Sequence, residues 1–298
     1  MRQRKIHDVE SKIARYEYVL VRDPDTLAGR WRECLSSDNL DSVTGGAAGG
    51  RRDPDAQAGR QRECLSSGNL DSVTSGTTGG RRDPDTLAGQ WRECLSSDNL
   101  DSAIGGNAGD RAAVNSRKLF VEIGSGKGRF LIDKAASDPD NFYVGFEGQL
   151  SVLYRAVSKV PANAAANFKF CPEYIYDIRE FFAEGEISGI FLNFSDPWPK
   201  ARQEKRRLTS PVYLTGYRHV LAPGGTLEFK TDNGALFEYS ARQIDACQGF
   251  ELTAVTDDLH RSEFAEANIE TEYEHKFRNL NRKIKFLRAV KTFSHEEA

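Results

Sequence analysis

The run Leu119-Phe120-Val121-Glu122-Ile123 meets Gly124-Ser125-Gly126-Lys127-Gly128 at once, and a helical pattern through Phe130, Leu131 and Ala135 follows. This order of buried strand, glycine loop and helix is the feature that most restricts the fold. It predicts the opening of a βαβ unit whose loop cradles a nucleotide-type ligand. Two common versions of such a loop fail on spacing. The dinucleotide fingerprint wants a third glycine where Arg129 stands, and the phosphate-binding P-loop wants glycine at Val121 and Ser or Thr at Gly128.

The next apolar run, Phe142 to Phe146, ends in Glu147. An acid at the tip of the second strand of such a sheet accepts hydrogen bonds from both hydroxyls of a ribose. The alternative reading is that Glu147 caps the next helix, which begins near Gln149. Glu122, inside the first strand, is unusual for a core position unless something pairs it. Further strands are expected at Phe168 to Cys171, Gly189 to Phe194, Thr226 to Lys230, Glu251 to Val255 and Lys285 to Val290, with helical patterns between most of them. This alternation predicts an α/β chain with an open, mostly parallel seven-stranded sheet and helices on both faces. Ligands of such sheets lie beyond the carboxyl ends of the strands, where Gly124 to Gly128, Glu147 and Asp196 fall.

The front of the chain reads differently. One unit begins at Asp23, again at Asp53 and again at Asp83, and residues 22–46 match 82–106 except at Arg30/Gln90, Val43/Ala103 and Thr44/Ile104. Each unit opens Asp-Pro-Asp, which suits a helix start, and in the first copy Leu27, Trp31 and Leu35 follow at helical spacing. The middle copy carries Gln57 and Gln61 at the first two of these positions, so it lacks the continuous apolar face that a solenoid needs. Gly-rich ends such as residues 45–50 have little to bury. The expected organisation is an N-terminal segment 1–22, a largely flexible repeat insertion 23–112 that docks one or two short helices, and a domain 113–298 holding the main core.

A net charge of -3 excludes coating of nucleic acid by bulk electrostatics, so any RNA contact must come from local basic patches. Cys34, Cys64, Cys94, Cys171 and Cys247 form no Cys-x-x-Cys pair, and His7, His219, His260, His275 and His295 have no metal-ligand spacing. Reduced thiols and no metal site are expected. Residues 1–12 lack the apolar run of a secretory signal, and no segment approaches the roughly 20 apolar residues that span a bilayer. A cytoplasmic protein without membrane contact is expected.

The most specific stretch is Asp196-Pro197-Trp198-Pro199-Lys200-Ala201-Arg202-Gln203-Glu204-Lys205-Arg206-Arg207-Leu208, which joins a strand-end acid, a rigid turn and a basic helix start. Here the chain resembles the bacterial tRNA (guanine-N7)-methyltransferases. The resemblance continues in Phe229-Lys230-Thr231-Asp232-Asn233 and in residues 271–277, and in a short G-x-W element matched by Gly29-Arg30-Trp31 and Gly89-Gln90-Trp91. It covers the whole second half and implies a Rossmann-like, class I fold dependent on S-adenosyl-L-methionine (SAM). The implied reaction is methyl transfer to N7 of a variable-loop guanosine in tRNA, by a monomer or homodimer.

The resemblance implies that Glu122, Gly124, Gly126, Glu147 and Asp196 line the cofactor site. Lys200, Asp232, Thr271, Glu272, Tyr273 and Glu274 are implied to meet the substrate nucleoside. The family's adenine-reading acid on the third strand falls on Tyr174, a departure that neighbouring Glu173 is placed to offset. Arg202, Lys205, Arg206 and Arg207 form a phosphate-contacting patch, and Trp198 stands where it can stack on a base. Guanine N7 has an in-plane lone pair and no proton, so no general base is needed. Positioning and carboxylate stabilisation of the cationic purine suffice, with Asp196 the catalytic candidate. Ser195-Asp196-Pro197-Trp198 also resembles the loop of exocyclic-amine methyltransferases, and a non-catalytic SAM-binding or RNA-binding accessory protein is a further alternative.

Overall fold

The computed structural model describes residues 6, 8–21, 24, 27–29, 31, 117–160 and 167–292. All of them belong to one compact unit, Met1–Leu40 with Ser97–Ala298; a second unit, Asp41–Ser96, lies outside the described residues, as do the middle and third repeat copies.

The core is a seven-stranded sheet in the order β3-β2-β1-β4-β5-β7-β6. Its strands are β1 Leu119–Ile123, β2 Phe142–Phe146, β3 Phe168–Cys171, β4 Ile187–Asn193, β5 Leu221–Thr231, β6 Phe250–Thr256 and β7 Lys285–Lys291. The first five neighbours in that order pair in parallel, and β7 runs antiparallel between β5 and β6. β5 begins at Leu221, earlier than the expected Thr226, because Ile187 pairs with Leu221 across a register shift. Pro223-Gly224-Gly225, which reads as a turn, is thereby taken into the strand.

Strand alternation sorts the core into two faces. Leu119, Val121 and Ile123 of β1, with Phe142, Val144 and Phe146 of β2, pack with Leu214, Tyr217 and Val220 of helix α4 (Pro211–Val220) and Leu236, Phe237 and Ile244 of α5 (Gly234–Asp245). On the opposite face, Tyr143, Phe168, Phe170 and Phe191 pack with Phe130, Leu131 and Ala135 of α2 (Arg129–Ser137) and Leu153, Ala156 and Val157 of α3 (Leu150–Val157). Ile13 of the short helix α1 (Val9–Ile13) joins this second face. Glu122, out of phase with Val121 and Ile123, is thereby turned to the side of α2 and α3.

Residues before the repeat are tied into the same unit. Leu20 bridges Phe170 at the β3 edge, and Val21 N–H donates to the Phe170 carbonyl at 2.8 Å. Leu27 and Trp31 are both buried, although a turn at Ala28-Gly29 separates them and no continuous helix carries them. Leu35, the third member of that stripe, lies outside the described residues. Trp31 stacks on Phe182 with centroids 4.9 Å apart, and its indole N–H donates to the Phe181 carbonyl at 2.7 Å. The Glu186 carboxylate gathers the N–H groups of Gly29, Trp31 and Ala183. The G-x-W element of the first repeat copy is thus a core element.

Candidate functional site

The carboxyl ends of β1, β2, β4 and β5 converge on one edge of the sheet. Gly124, Gly126 and Gly128 all have positive φ (78°, 58° and 78°), a region that glycine enters without steric cost. The N–H groups of Gly124 and Ser125 both donate to the Phe146 carbonyl at 2.9 Å, which pins the loop to the tip of β2. A side chain at Gly124 would meet nothing within 4 Å, so the loop borders open space.

Glu147 accepts from Gly126 N–H at 3.1 Å with one oxygen and from Gln149 N–H at 2.8 Å with the other. The second bond reaches the N–H of Gln149, which precedes the helix, so Glu147 caps none of the free N–H groups of its first turn, and the first ties the acid to the glycine loop. Burial raises the Glu147 pKa, the two backbone N–H groups lower it in part, and nearby Asp196 raises it further. Glu122 is only 1% exposed. One of its oxygens accepts from Asn193 Nδ2 at 2.8 Å, and the other is buried without a hydrogen-bond partner. Burial pushes its pKa up to about 8 against the lowering effects of Asn193 and Lys230. A buried carboxyl held short of partners beside an open glycine loop fits a cationic, hydrogen-bond-donating ligand group.

The other wall comes from the segment leading into α6 (Glu272–Arg278). Thr271 and Glu274 form a capping box: Glu274 N–H donates to Thr271 Oγ1 at 2.9 Å, and the Glu274 carboxylate accepts from Thr271 N–H. Glu274 is fully buried and saturated within the chain. It takes Lys230 Nζ at 3.1 Å on one oxygen and Asn268 Nδ2 at 2.7 Å on the other, with His260 Nε2 at 3.0 Å from the latter. Lys230 also donates to Asn268 Oδ1 and the Ile269 carbonyl, and its ammonium lies 4.8 Å from the Phe130 ring centre. The neighbouring Glu272 pairs with Lys159, whose ammonium also holds the Lys127 carbonyl of the glycine loop at 2.8 Å.

Tyr273, between these two acids in sequence, is half-exposed and packs between Phe194 and Phe277, with centroids 5.0 and 4.4 Å away. Burial raises its phenol pKa, the charge of Asp232 adds to that, Arg282 opposes it and Asp196 adds a smaller share. Asp232 itself pairs with Arg282 at 3.1 Å. Asp196 and Lys200 are exposed on the loop after β4, in which Phe194 and Trp198 both take positive φ.

The basic helix start expected after that loop is a 3-10 helix, Ala201–Arg206, and the α-helix α4 begins only at Pro211, whose fixed φ suits a first helical position. Arg207 is folded back on the turn: its guanidinium donates to the carbonyls of Pro197 and Trp198 at 3.1 Å each and lies over the Tyr239 ring. The Arg206 guanidinium sits 4.3 Å from the Trp198 ring centre. Arg202, Lys205 and Arg206 are exposed, whereas Arg207 is half-buried.

Sequence reasoning missed Asn193, Lys230, Lys159, Arg282 and His260. Lys230 left a signal, since a lysine facing inward on a central strand requires a buried partner. Among the described residues no group of three or more His, Cys, Asp or Glu is placed to hold a metal ion, and no helix is long and apolar enough to cross a membrane.

Comparison with known proteins gives a consistent likeness. A family model described as "putative methyltransferase" matches residues 116–287. A tRNA (guanine-N(7)-)-methyltransferase of Halalkalibacterium halodurans is 46% identical over 166 residues, 56% of this chain and 74% of that protein. Similar solved structures include an antibiotic-related methyltransferase (18% identity, 59% of this chain and 88% of that one, TM-score 0.44). A second is the 16S rRNA methyltransferase KamB (12% identity, 63% and 94%, TM-score 0.46).

Proposed function

The chain belongs to the tRNA (guanine-N7)-methyltransferase family, and from that premise we propose that it transfers the methyl group of SAM to N7 of a guanosine in tRNA, through the site at the carboxyl edge of the sheet. The observation that carries this reading is the pairing of an open glycine loop with two strand-tip acids, Glu122 and Glu147. The two acids divide the recognition. Glu147, already anchored by two backbone N–H groups, is oriented for ribose hydroxyls, and the unpartnered oxygen of Glu122 is suited to an ammonium.

When bound, the cofactor supplies an electrophilic methyl group on a sulfonium. The protein's share is to orient the two reactants in line and to stabilise positive charge on the purine. Asp196 stands exposed on the loop after β4, within electrostatic reach of Glu147 and Tyr273, which suits it to that charge. Tyr273, half-exposed and within the fields of Asp232 and Asp196, offers the part of its ring that Phe194 and Phe277 leave open as a surface against which a guanine can lie. Asp232 and Glu272 would then meet the nucleoside after exchanging Arg282 and Lys159 for it. Exposed Lys200, Arg202, Lys205 and Arg206 supply phosphate contacts that position the RNA and make binding salt-dependent. Arg207 contributes by holding the Trp198 turn in shape. The cytoplasm, where tRNA is the available partner, is the compartment this reading implies.

The test is incubation of the purified protein and an Asp196→Ala variant with methyl-labelled SAM and unmodified bulk tRNA, followed by nucleoside analysis. Label in 7-methylguanosine, lost in the variant, is the expected result. Label in an adenine nucleoside would transfer the assignment to exocyclic-amine chemistry, and cofactor binding without turnover would make the chain an accessory protein.

A further inference from the structure

We propose that the ring of Tyr174, seated on Gly148, is the platform on which the cofactor's adenine stacks, so that this chain grips the purine by its face. The inference rests on the SAM reading above and adds to it a residue that holds the base without selecting among purines.

Three observations lead to it. First, the tips of β2 and β3 are joined, since Glu147 N–H donates to the Cys171 carbonyl at 3.0 Å. A base attached to a ribose held by Glu147 therefore lies near the residues that follow Cys171. Second, a Cβ on Gly148 would sit 2.2 Å from Cδ2 of Tyr174 and 2.4 Å from both Cγ and Cε2. Near-equal distances to three consecutive ring atoms mean that the ring lays a face on Gly148, in the space a side chain next to Glu147 would fill. Third, Tyr174 remains 55% exposed although Gly148 covers one face, so ring surface is left open to a flat ligand.

The segment is also rigid enough to serve. Ile175 is buried, its carbonyl accepts from Tyr213 Oη at 3.3 Å, and Tyr176 flanks the platform at 6.3 Å and 38°. Burial and the charge of Glu147 raise the Tyr174 phenol, so the ring stays neutral and its face keeps its full stacking capacity near neutral pH.

A face grip has a consequence that an edge grip lacks. A carboxylate at this strand tip would accept a hydrogen bond from the 6-amino group and so select adenine, whereas stacking is available to any purine. Glu173, the neighbouring acid, is half-buried and engaged in an interaction within the chain.

Calorimetric titration of the full chain with S-adenosylhomocysteine, and with its inosine analogue in which a 6-oxo group replaces the 6-amino group, tests this. The wild type and Tyr174→Phe are expected to bind the two ligands within about threefold of one another. Tyr174→Ala is expected to lose about tenfold on both, the scale of one base–aromatic stack. Gly148→Ala should lose a similar factor by pushing the ring away, and the double variant should be no weaker than either single one, because both remove the same contact. Unchanged affinity in Tyr174→Ala, additive losses in the double variant, or more than tenfold preference of the wild type for the adenine ligand would each overturn the platform while leaving cofactor binding intact. Absence of any binding by the wild type would sink the cofactor reading and the platform together.

Discussion

Two glutamates, Glu122 and Glu274, are equally withdrawn from water, yet the chain treats them in opposite ways. Glu274 is met by Lys230, Asn268 and the Thr271 N–H, with His260 beside it. Glu122 has the Asn193 amide on one oxygen and nothing on the other. Burial of a carboxylate is tolerated when its oxygens are saturated and a cation is near, and it is penalised when they are not. The first arrangement serves as a clamp that closes the 268–278 segment onto β5. The second is a group kept short of partners, and in the proposed site a ligand completes it.

Breaking the clamp should produce the largest effect. Lys230→Met leaves the Glu274 carboxylate buried without its cation and should cost about 3–5 kcal/mol in urea unfolding. Replacing both partners with apolar residues should recover much of that loss. A loss below about 1 kcal/mol for the single variant would mean that Asn268 and His260 suffice without the ammonium.

Glu122→Gln should act in the opposite direction. The folded carboxyl holds its proton up to about pH 8, whereas the unfolded one releases it near 4.5. The folded state therefore binds the extra proton between these values, and wild-type stability declines as pH rises through that window. The variant should be more stable than the wild type by up to about 3 kcal/mol at pH 7, and the two should converge below pH 5. It should also lose cofactor affinity. A pH-independent difference in unfolding free energy would contradict the contrast between the two glutamates.

The smallest of the three effects belongs to Thr271→Ala. It removes the hydroxyl that caps α6 but leaves Lys230 and Glu274 in place, and should cost about 1 kcal/mol. A loss comparable to that of Lys230→Met would show that the cap and the ion pair act as one unit, which a double-mutant cycle would measure.

How much of this was legible beforehand follows the range of the interactions. Strands β1, β2 and β3 lie where the apolar runs placed them, since alternation and length are local properties. The glycine loop was equally plain. By contrast, the basic segment 201–206 was legible as helical but not as a 3-10 helix, and nothing in it announced that Arg207 turns its guanidinium back to carbonyls 9 and 10 residues earlier. The Leu27/Trp31 stripe pointed to one docked helix; a turn at Ala28-Gly29 interrupts it before Trp31, which is itself helical, and Glu186, more than 150 residues away, holds the N–H groups of Gly29 and Trp31. Tyr174 was visible only as a departure from a pattern, and its seat on Gly148 required the two strand tips side by side.

The sequence alone determined the sheet, its two apolar faces and the edge at which a ligand must lie, because periodicity of two, a glycine loop and acids at strand tips are written in consecutive residues. Only the tertiary structure decided which buried acid is saturated and which is left wanting. Lys230 and Glu274 stand 44 residues apart, and Glu122 and Asn193 stand 71 apart. The charge state of a buried carboxyl depends on what surrounds it within a few ångströms, and the packing of the sheet edge assembles those surroundings from distant parts of the chain.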